Sequence, residues 1–432
     1  MLTKINKKAF LQYVLIYTML LFNQSNLYQI LIYPKQEMVF IVTVLMMSIL
    51  FLRYKNKISR EFWFVSMLLF FTIMVRVIKG GVGILFWCEM ALKIEIVYLA
   101  ILEDIENFIT RFIKVVFVLA LISIIFWLFQ NIGLNIAQKM MYHYFTEGTY
   151  AVYDSSWRRT IYNYDGYGML LYSYLSSYPN RNVGIFTEPG MYQAVLNSVL
   201  FCIIIFEKDI YIKKRTLLRM FVIVLIAVIT TQSTSGYFGL LAILLVMFFR
   251  KRKGFNNWRI HSLKLLIFGI MIIGTDLIIR GNRSLLQTAI LSKVFDSSKE
   301  FSLVAENSTG IWRVATLKMA LLAMLEHPMG LGVDNWVNFR SHNFYAGPGA
   351  WPFTLGAILG IIPFLVSLYW IFGPLYHIKK DYYAVVLFIF LYFNTSIAQT
   401  SAFYPVLILI PIYLSLVKYV RARKIKKTYS VN

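Results

Sequence analysis

Runs of apolar residues, each about as long as a membrane-spanning helix, recur along the whole chain. Crossing about 30 Å of hydrocarbon takes roughly 20 helical residues, and several runs reach this length only with their flanking residues. We count twelve runs, near residues 9–32, 38–52, 62–78, 82–102, 115–130, 191–206, 217–231, 236–249, 264–279, 352–372, 382–398 and 402–418. The pattern predicts an all-α polytopic integral membrane protein with about twelve transmembrane helices.

The composition supports this prediction. The chain is 59% hydrophobic and only 15% charged, whereas a soluble globular domain carries about 25% charged residues. The net charge of +23 is explained by topology, because Lys and Arg accumulate in the cytoplasmic loops of membrane proteins. With the N-terminus placed inside, about two-thirds of the Lys and Arg fall in cytoplasmic segments. We therefore expect both termini in the cytoplasm and no nucleic-acid partner.

Most classes of soluble enzyme are excluded by what the sequence lacks. It contains no phosphate-binding Gly-x-x-x-x-Gly-Lys-Ser/Thr loop, no Gly-x-Ser-x-Gly elbow and no His/Cys/Asp cluster with metal spacing. Cys88 and Cys202 lie inside apolar runs, where a disulfide framework or a thiolate metal site is not expected. We predict an activity without a cofactor or a metal ion.

Two long outward segments interrupt the short connections, and long loops of ordinary complexity are usually functional. They divide the chain into the first five helices, the first extracytoplasmic loop, helices six to nine, the second extracytoplasmic loop, and the last three helices with a basic tail: residues 1–130, 131–190, 191–279, 280–351 and 352–432. The first loop is rich in tyrosine, which suits sugar rings and the membrane interface equally well. In the second, the spacing predicts an interfacial helix from near Ile311 to His327.

Candidate chemistry begins in the first loop, just before the sixth apolar run. There Arg181 can hold an anionic headgroup and Glu188 can polarise a hydroxyl. The alternative is an Arg181–Glu188 ion pair that only orders the loop. In the short turn that follows the seventh run, Ser233 and Ser235 can bind a diphosphate or sugar, or can cap helices.

The second loop supplies a further arginine and a base. Arg313 lies on the predicted interfacial helix, and His342 is flanked by Arg340 and Asn343 close to the next apolar run. A neutral histidine can accept a proton from a sugar hydroxyl at ambient pH. His327 precedes a Pro/Gly-rich turn that ends the interfacial helix.

Charged residues inside the fourth apolar run have two interpretations. Glu89 and Lys93 have i, i+4 spacing, which predicts a structural ion pair. The alternative, together with Glu95, is a proton or ion relay of a transporter.

In order and position, these motifs resemble the bacterial O-antigen polymerase and O-antigen ligase superfamily, whose polymerases are called Wzy-type. The resemblance covers roughly residues 180–372 and depends on Arg-x-x-Gly-x-Phe-x-Glu-Pro at residues 181–189, Thr-x-Ser-x-x-Gly at 231–236, Trp-Arg at 312–313, His-Pro-Met-Gly-Leu-Gly at 327–332 and His-Asn at 342–343. One departure is visible: Thr234 stands where many members have an arginine. This places more weight on Arg181 and Arg313 as phosphate ligands.

The resemblance implies a multi-pass glycosyltransferase of the bacterial inner membrane, with its active site facing the periplasm or exterior. Its substrate would be an oligosaccharide on undecaprenyl diphosphate, polymerised into O-antigen (lipopolysaccharide) or capsule, and a chain-length regulator is a candidate partner. A ligase or a flippase of lipid-linked sugars is the alternative. Arg313 and either His342 or Glu188 would be catalytic. The remaining substrate-binding residues would be Arg181, Arg340, Asn343, Ser233, Ser235 and Tyr192.

Overall fold

The described part of this computed structural model is mostly helical. It comprises residues 7–29, 36–54, 60, 63–64, 67, 84–132, 141, 143–153, 159–250, 309–342, 349–397 and 404–429. In chain order its α-helices are α1 (Lys7–Leu21), α2 (Gln36–Tyr54), α3 (Ile84–Glu103), α4 (Phe108–Asn131), α5 (Pro189–Ile205), α6 (Lys214–Thr230), α7 (Thr234–Phe249), α8 (Thr309–Glu326), α9 (Val333–Ser341), α10 (Phe353–Leu359), α11 (Ile361–Pro374), α12 (Tyr382–Ser396) and α13 (Pro405–Tyr429). A 3-10 turn follows α5 at Glu207–Asp209, and a π turn follows α11 at Leu375–Lys379.

Most predicted apolar runs correspond to one helix, but two of them are interrupted. The run at 9–32 stops being α-helical after Leu21, where Gln24 adopts a φ of 64°. The run at 352–372 forms α10 and α11, separated at Gly360. The run at 264–279 and most of the run at 62–78 lie outside the described residues.

Within the described residues, two helical segments are long and apolar enough to cross a membrane, Phe108–Asn131 and Ile361–Ile378. Length and composition are the basis of this finding, and several further apolar helices are shorter. The thirteen helices of the described residues confirm the prediction of a mainly helical chain. The twelve spans, their orientation and the boundaries of the five chain regions stay predictions.

The first long loop forms a small antiparallel sheet, which the sequence analysis did not predict. Its strands are β1 (His143–Tyr153), β2 (Arg159–Tyr167) and β3 (Tyr174–Leu175), in the order β1-β2-β3. Tyr and Thr favour strands because their side chains fit a pleated surface. The same tyrosines that indicate a sugar platform therefore also form strands, and the all-α prediction needs this correction for the loop.

Helix α5 lies at the centre of the bundle. It contacts α4, α6, α7, α12 and α13, and its side chains from Met191 to Ile205 are all buried. A helix that is apolar on every side is expected in the interior. Pro189 occupies its first turn, where a missing N–H costs no hydrogen bond. The residues just before Pro189 are therefore connected directly to the buried helix α5.

Contacts between helix ends distinguish two ends of the bundle. At the first, called the Glu188 end, Asn394 of α12 donates to the Ser235 carbonyl at the start of α7, with N···O 2.7 Å. At the second, called the Arg250 end, Arg250 donates to the Ile204 carbonyl, with N···O 2.8 Å, and pairs with Asp381. Because α5 has 17 residues, these ends lie about 25 Å apart.

The ion pair predicted inside the fourth apolar run is confirmed. Lys93 and Glu89 approach to 2.6 Å, and the Lys93 ammonium also lies 5.2 Å from the centre of the Tyr404 ring. This supports the structural interpretation of the two charges. Glu95 is buried on the same helix, and neither carboxylate oxygen is hydrogen bonded within the described residues.

Candidate functional site

Arg181 is held against the turn that joins α6 and α7. Its Nε donates to the Thr231 carbonyl, with N···O 3.1 Å, and its Nη2 donates to the Gln232 carbonyl, with N···O 2.9 Å. The guanidinium also lies 5.4 Å from the Tyr178 ring centre. A guanidinium has five N–H donors, so the two carbonyls leave three for an anion.

Asn182 connects the Arg181 segment to two helices and was not predicted as a site residue. Its fully buried amide donates to Ser123 of α4 and to Thr230 of α6, with N···O of 3.1 and 2.9 Å. Its Oδ1 accepts from the Gly184 backbone N–H at 3.0 Å. Its position inside the Arg-x-x-Gly motif is the one sequence signal that could have indicated it.

Gly184 requires the conformational freedom of glycine. Its φ is +58°, and a Cβ there would lie 3.0 Å from the ring of Tyr192. Tyr192 is itself buried, stacks on Phe186 at 5.6 Å and shares a hydrogen bond of 2.7 Å with the Ser123 hydroxyl. The structure thus gives Tyr192 a packing contact beneath the site, and substrate binding by this residue stays a prediction.

Glu188 interacts electrostatically with both Arg181 and Arg313. It is half-buried, has an extended backbone with φ −154°, and immediately precedes α5. Burial lowers the pKa of both the Arg181 and Arg313 guanidinium groups, and the Glu188 carboxylate opposes this shift in each case. The Glu188 carboxylate is therefore within electrostatic range of both guanidinium groups, although Arg313 is distant in sequence, and we call the three residues the Arg181–Glu188–Arg313 cluster.

Arg313 is the less constrained of the two arginines. It lies near the start of α8 and is half-buried, and its guanidinium makes no hydrogen bond or ion pair with a described residue. An arginine in this state keeps its planar donors available for a bidentate contact with phosphate. Arg181 is thus the fixed cation of the cluster, and Arg313 is the adaptable one.

Ser233 and Ser235 lie in the same turn, and their hydroxyls form part of the helix packing. The two oxygens are 3.2 Å apart, and Gln193 of α5 donates to the Ser235 hydroxyl at 3.2 Å. Ser233 precedes α7 but its side chain makes no capping hydrogen bond. These contacts favour a supporting role, and direct substrate binding by either serine stays a prediction.

The Pro/Gly-rich turn between α8 and α9 packs against the break between α10 and α11. The Pro328 carbonyl accepts from Ile361 at 2.9 Å, and a Cβ on Gly360 would lie 2.6 Å from that carbonyl. With φ +103° and this close approach, Gly360 is a position for glycine. The turn that follows His327 therefore fixes where α8 and α9 present Arg313 and His342.

His342 has the hydrogen bonding of a general base. It is exposed at the end of α9, and its Nδ1 lies 2.9 Å from the Asn338 carbonyl. A carbonyl only accepts, so a neutral His342 that donates from Nδ1 to this carbonyl has the lone pair of Nε2 available to accept a proton. No contact joins His342 to the Arg181–Glu188–Arg313 cluster within the described residues. Neighbouring Arg340 is buried, and Asn343 lies outside the described residues.

The described residues contain no group of three His, Cys, Asp or Glu side chains placed to hold a metal ion. A mainly helical, apolar chain with two arginines and a carboxylate at one end of its bundle fits a membrane protein that acts on an anionic lipid-linked substrate.

The comparison with protein families agrees with this class. Residues 220–355 match a family model described as O-antigen ligase. The match supports the O-antigen ligase and polymerase superfamily, whose members are proteins of the bacterial inner membrane, and confirms the resemblance found in the sequence. It includes Arg313 and His342, whereas Arg181 and Glu188 precede it. No curated protein and no solved structure matches the chain significantly.

Proposed function

We propose that this protein is a polysaccharide polymerase of the inner membrane. It transfers a glycan from undecaprenyl diphosphate to the next lipid-linked repeat unit at the outer face of the inner membrane. The observation that carries the proposal is the Arg181–Glu188–Arg313 cluster. The family match over residues 220–355 supports an O-antigen ligase or polymerase-type membrane enzyme in general, and the specific reaction is our inference.

The reaction needs charge stabilisation more than it needs a cofactor. The acceptor hydroxyl attacks the anomeric carbon of the donor glycan, the bond between that carbon and the diphosphate oxygen breaks, and undecaprenyl diphosphate leaves as an anion. Arg181 and Arg313 stabilise this developing charge. Because the glycosyl–diphosphate bond supplies the energy, neither a nucleotide sugar nor a metal ion is required.

The acceptor proton goes to His342 or Glu188, and the geometry favours His342. Glu188 already interacts electrostatically with the Arg181 and Arg313 guanidinium groups. His342 is exposed, and its neutral imidazole can accept a proton at Nε2 while Nδ1 donates to the Asn338 carbonyl. In this scheme the negative charge of Glu188 partly balances the two arginines before the diphosphate binds.

The test of the proposal in cells is deletion of the protein. A polymerase predicts loss of long glycan chains and accumulation of lipid-linked single repeats on the outer face. An unchanged distribution of chain lengths would contradict it.

A ligase is the second candidate, favoured by the description of the matching family. It would move finished glycan onto a separate lipid or protein acceptor. Analysis of the product formed with a defined acceptor, in the presence of lipid-linked repeats, separates the two reactions.

A further inference from the structure

A pocket of about 300 Å³ lies at the Arg250 end, away from the candidate active site. We call it the Arg60–Lys418 pocket. Its walls come from α11, the π turn that follows, α13, Arg60 and Phe64, and they include Trp370, His377, Ser415 and Lys418. The pocket lies at the Arg250 end because Ser415 and Lys418 line it. They follow Tyr413 of α13, which packs on Phe206 just after the end of α5. A volume near 300 Å³ is sufficient for part of a small ligand.

The polar part of the pocket is cationic. Arg60 and Lys418 are exposed, His377 lies between Tyr369 and Tyr376, and no carboxylate lines the pocket among the described residues. Asp381, which follows the π turn, is paired with Arg250 instead. Among the described residues the lining of the pocket is therefore cationic without a carboxylate, and it favours an anionic ligand.

The other part of the pocket is apolar and aromatic. Phe64, Val366, Tyr369 and Trp370 form it, and Tyr369 and Phe64 are exposed. Trp and Tyr are enriched where a membrane protein meets the headgroup region. A pocket lined by both aromatic residues and cations suits a lipid with an anionic headgroup.

We propose that the Arg60–Lys418 pocket binds an anionic phospholipid of the surrounding membrane, with the phosphate against Arg60 and Lys418 and an acyl chain along Trp370. The positive-inside distribution of charge places this end at the cytoplasmic leaflet. The bound lipid is distinct from the lipid-linked substrate, whose predicted site lies at the opposite end of the bundle. The proposal does not depend on the transfer reaction.

The test is lipid binding to the purified full-length protein, measured by native mass spectrometry. The probes are dioleoyl phosphatidylglycerol and dioleoyl phosphatidylcholine, which share their acyl chains and differ in headgroup charge. Each cation near an anionic lipid contributes about fivefold in affinity. We expect the double variant Arg60→Gln/Lys418→Gln to bind phosphatidylglycerol about 25-fold more weakly, with phosphatidylcholine binding unchanged.

Two matched variants distinguish the pocket from general electrostatics. Lys213→Gln/Arg215→Gln removes the same charge from exposed positions at the same end, and it should bind phosphatidylglycerol like the wild type. Arg60→Lys/Lys418→Arg keeps the charge and should also bind normally. Melting temperatures of all variants establish that they are folded, and the single variants replace the double variant if it aggregates.

Three results would overturn the proposal. The first is equal affinity of the wild type for the two phospholipids. The second is equal loss of phosphatidylglycerol in the Lys213→Gln/Arg215→Gln control. The third is displacement of the lipid by millimolar inorganic phosphate, which would assign the site to a free anion.

Discussion

Replacement of Arg313 by glutamine separates catalysis from stability more clearly than any other change in the cluster. The Arg313 guanidinium is half-buried and makes no hydrogen bond with a described residue, so its loss should cost no more unfolding free energy than a typical point substitution, about 1 kcal/mol. Loss of one group that stabilises charge in a transition state typically lowers kcat by about 10²–10³-fold. We therefore expect Arg313→Gln to be folded and nearly inactive.

Arg181→Gln should behave differently, because Arg181 also holds the turn between α6 and α7. Its two bonds to the Thr231 and Gln232 carbonyls come from a charged donor, and such bonds contribute about 1.5–3 kcal/mol each. We expect this variant to lose activity and to unfold at a lower temperature. The comparison of the two arginines thus tests the division into a fixed and an adaptable cation.

The assay is the initial rate of glycan elongation by purified protein on a lipid-linked repeat unit, with the melting temperature measured on the same preparations. Lys318→Gln is the matched control, since it removes one exposed cation from the same helix and should leave both quantities unchanged. Wild-type rates for Arg313→Gln would refute the role of the cluster. Equal loss in Lys318→Gln would show that general electrostatics, not this site, controls the rate.

Further changes test the remaining parts of the account. Gly184→Ala places a Cβ 3.0 Å from the Tyr192 ring at a φ of +58°, and we expect a cost of about 1–3 kcal/mol, seen as a lower melting temperature; an unchanged value would contradict the packing. His342→Gln should lower the rate about 10²–10⁴-fold without changing stability. A normal rate would show that another residue is the general base. The double variant Glu89→Gln/Lys93→Gln should still synthesise glycan, because this ion pair is structural. If the two charges instead formed a proton or ion relay of a transporter, the variant would lose transport. Chelation by EDTA should leave the rate unchanged, and a loss reversed by Mg²⁺ would contradict a metal-independent reaction.

The helices were predictable because about 20 consecutive apolar residues leave few other structures possible in a membrane. Their interruptions were not. The break at Gly360 depends on contact with the Pro328 carbonyl, which is distant in sequence. The β1–β2 hairpin was missed because its tyrosines fit a strand, a sugar platform and a membrane interface equally well.

The members of the candidate site were predictable one by one, but their convergence was not. Arg181 and Glu188 share one motif, whereas Arg313 follows more than a hundred residues later, and only the fold brings its charge near Glu188. Asn182 was overlooked because a single buried amide has no periodicity to reveal it. For Ser233 and Ser235 the structure favours contacts within the helix packing, whereas their position at a helix end had suggested capping, which the Ser233 side chain does not provide.

Incubation of the purified protein with a single lipid-linked repeat unit tests the central claim most directly. The account predicts a ladder of glycans that grow by one repeat on undecaprenyl diphosphate, with one undecaprenyl diphosphate released for each new bond. Transfer only to a separate acceptor, or movement of the lipid across vesicles without a new glycosidic bond, would contradict it.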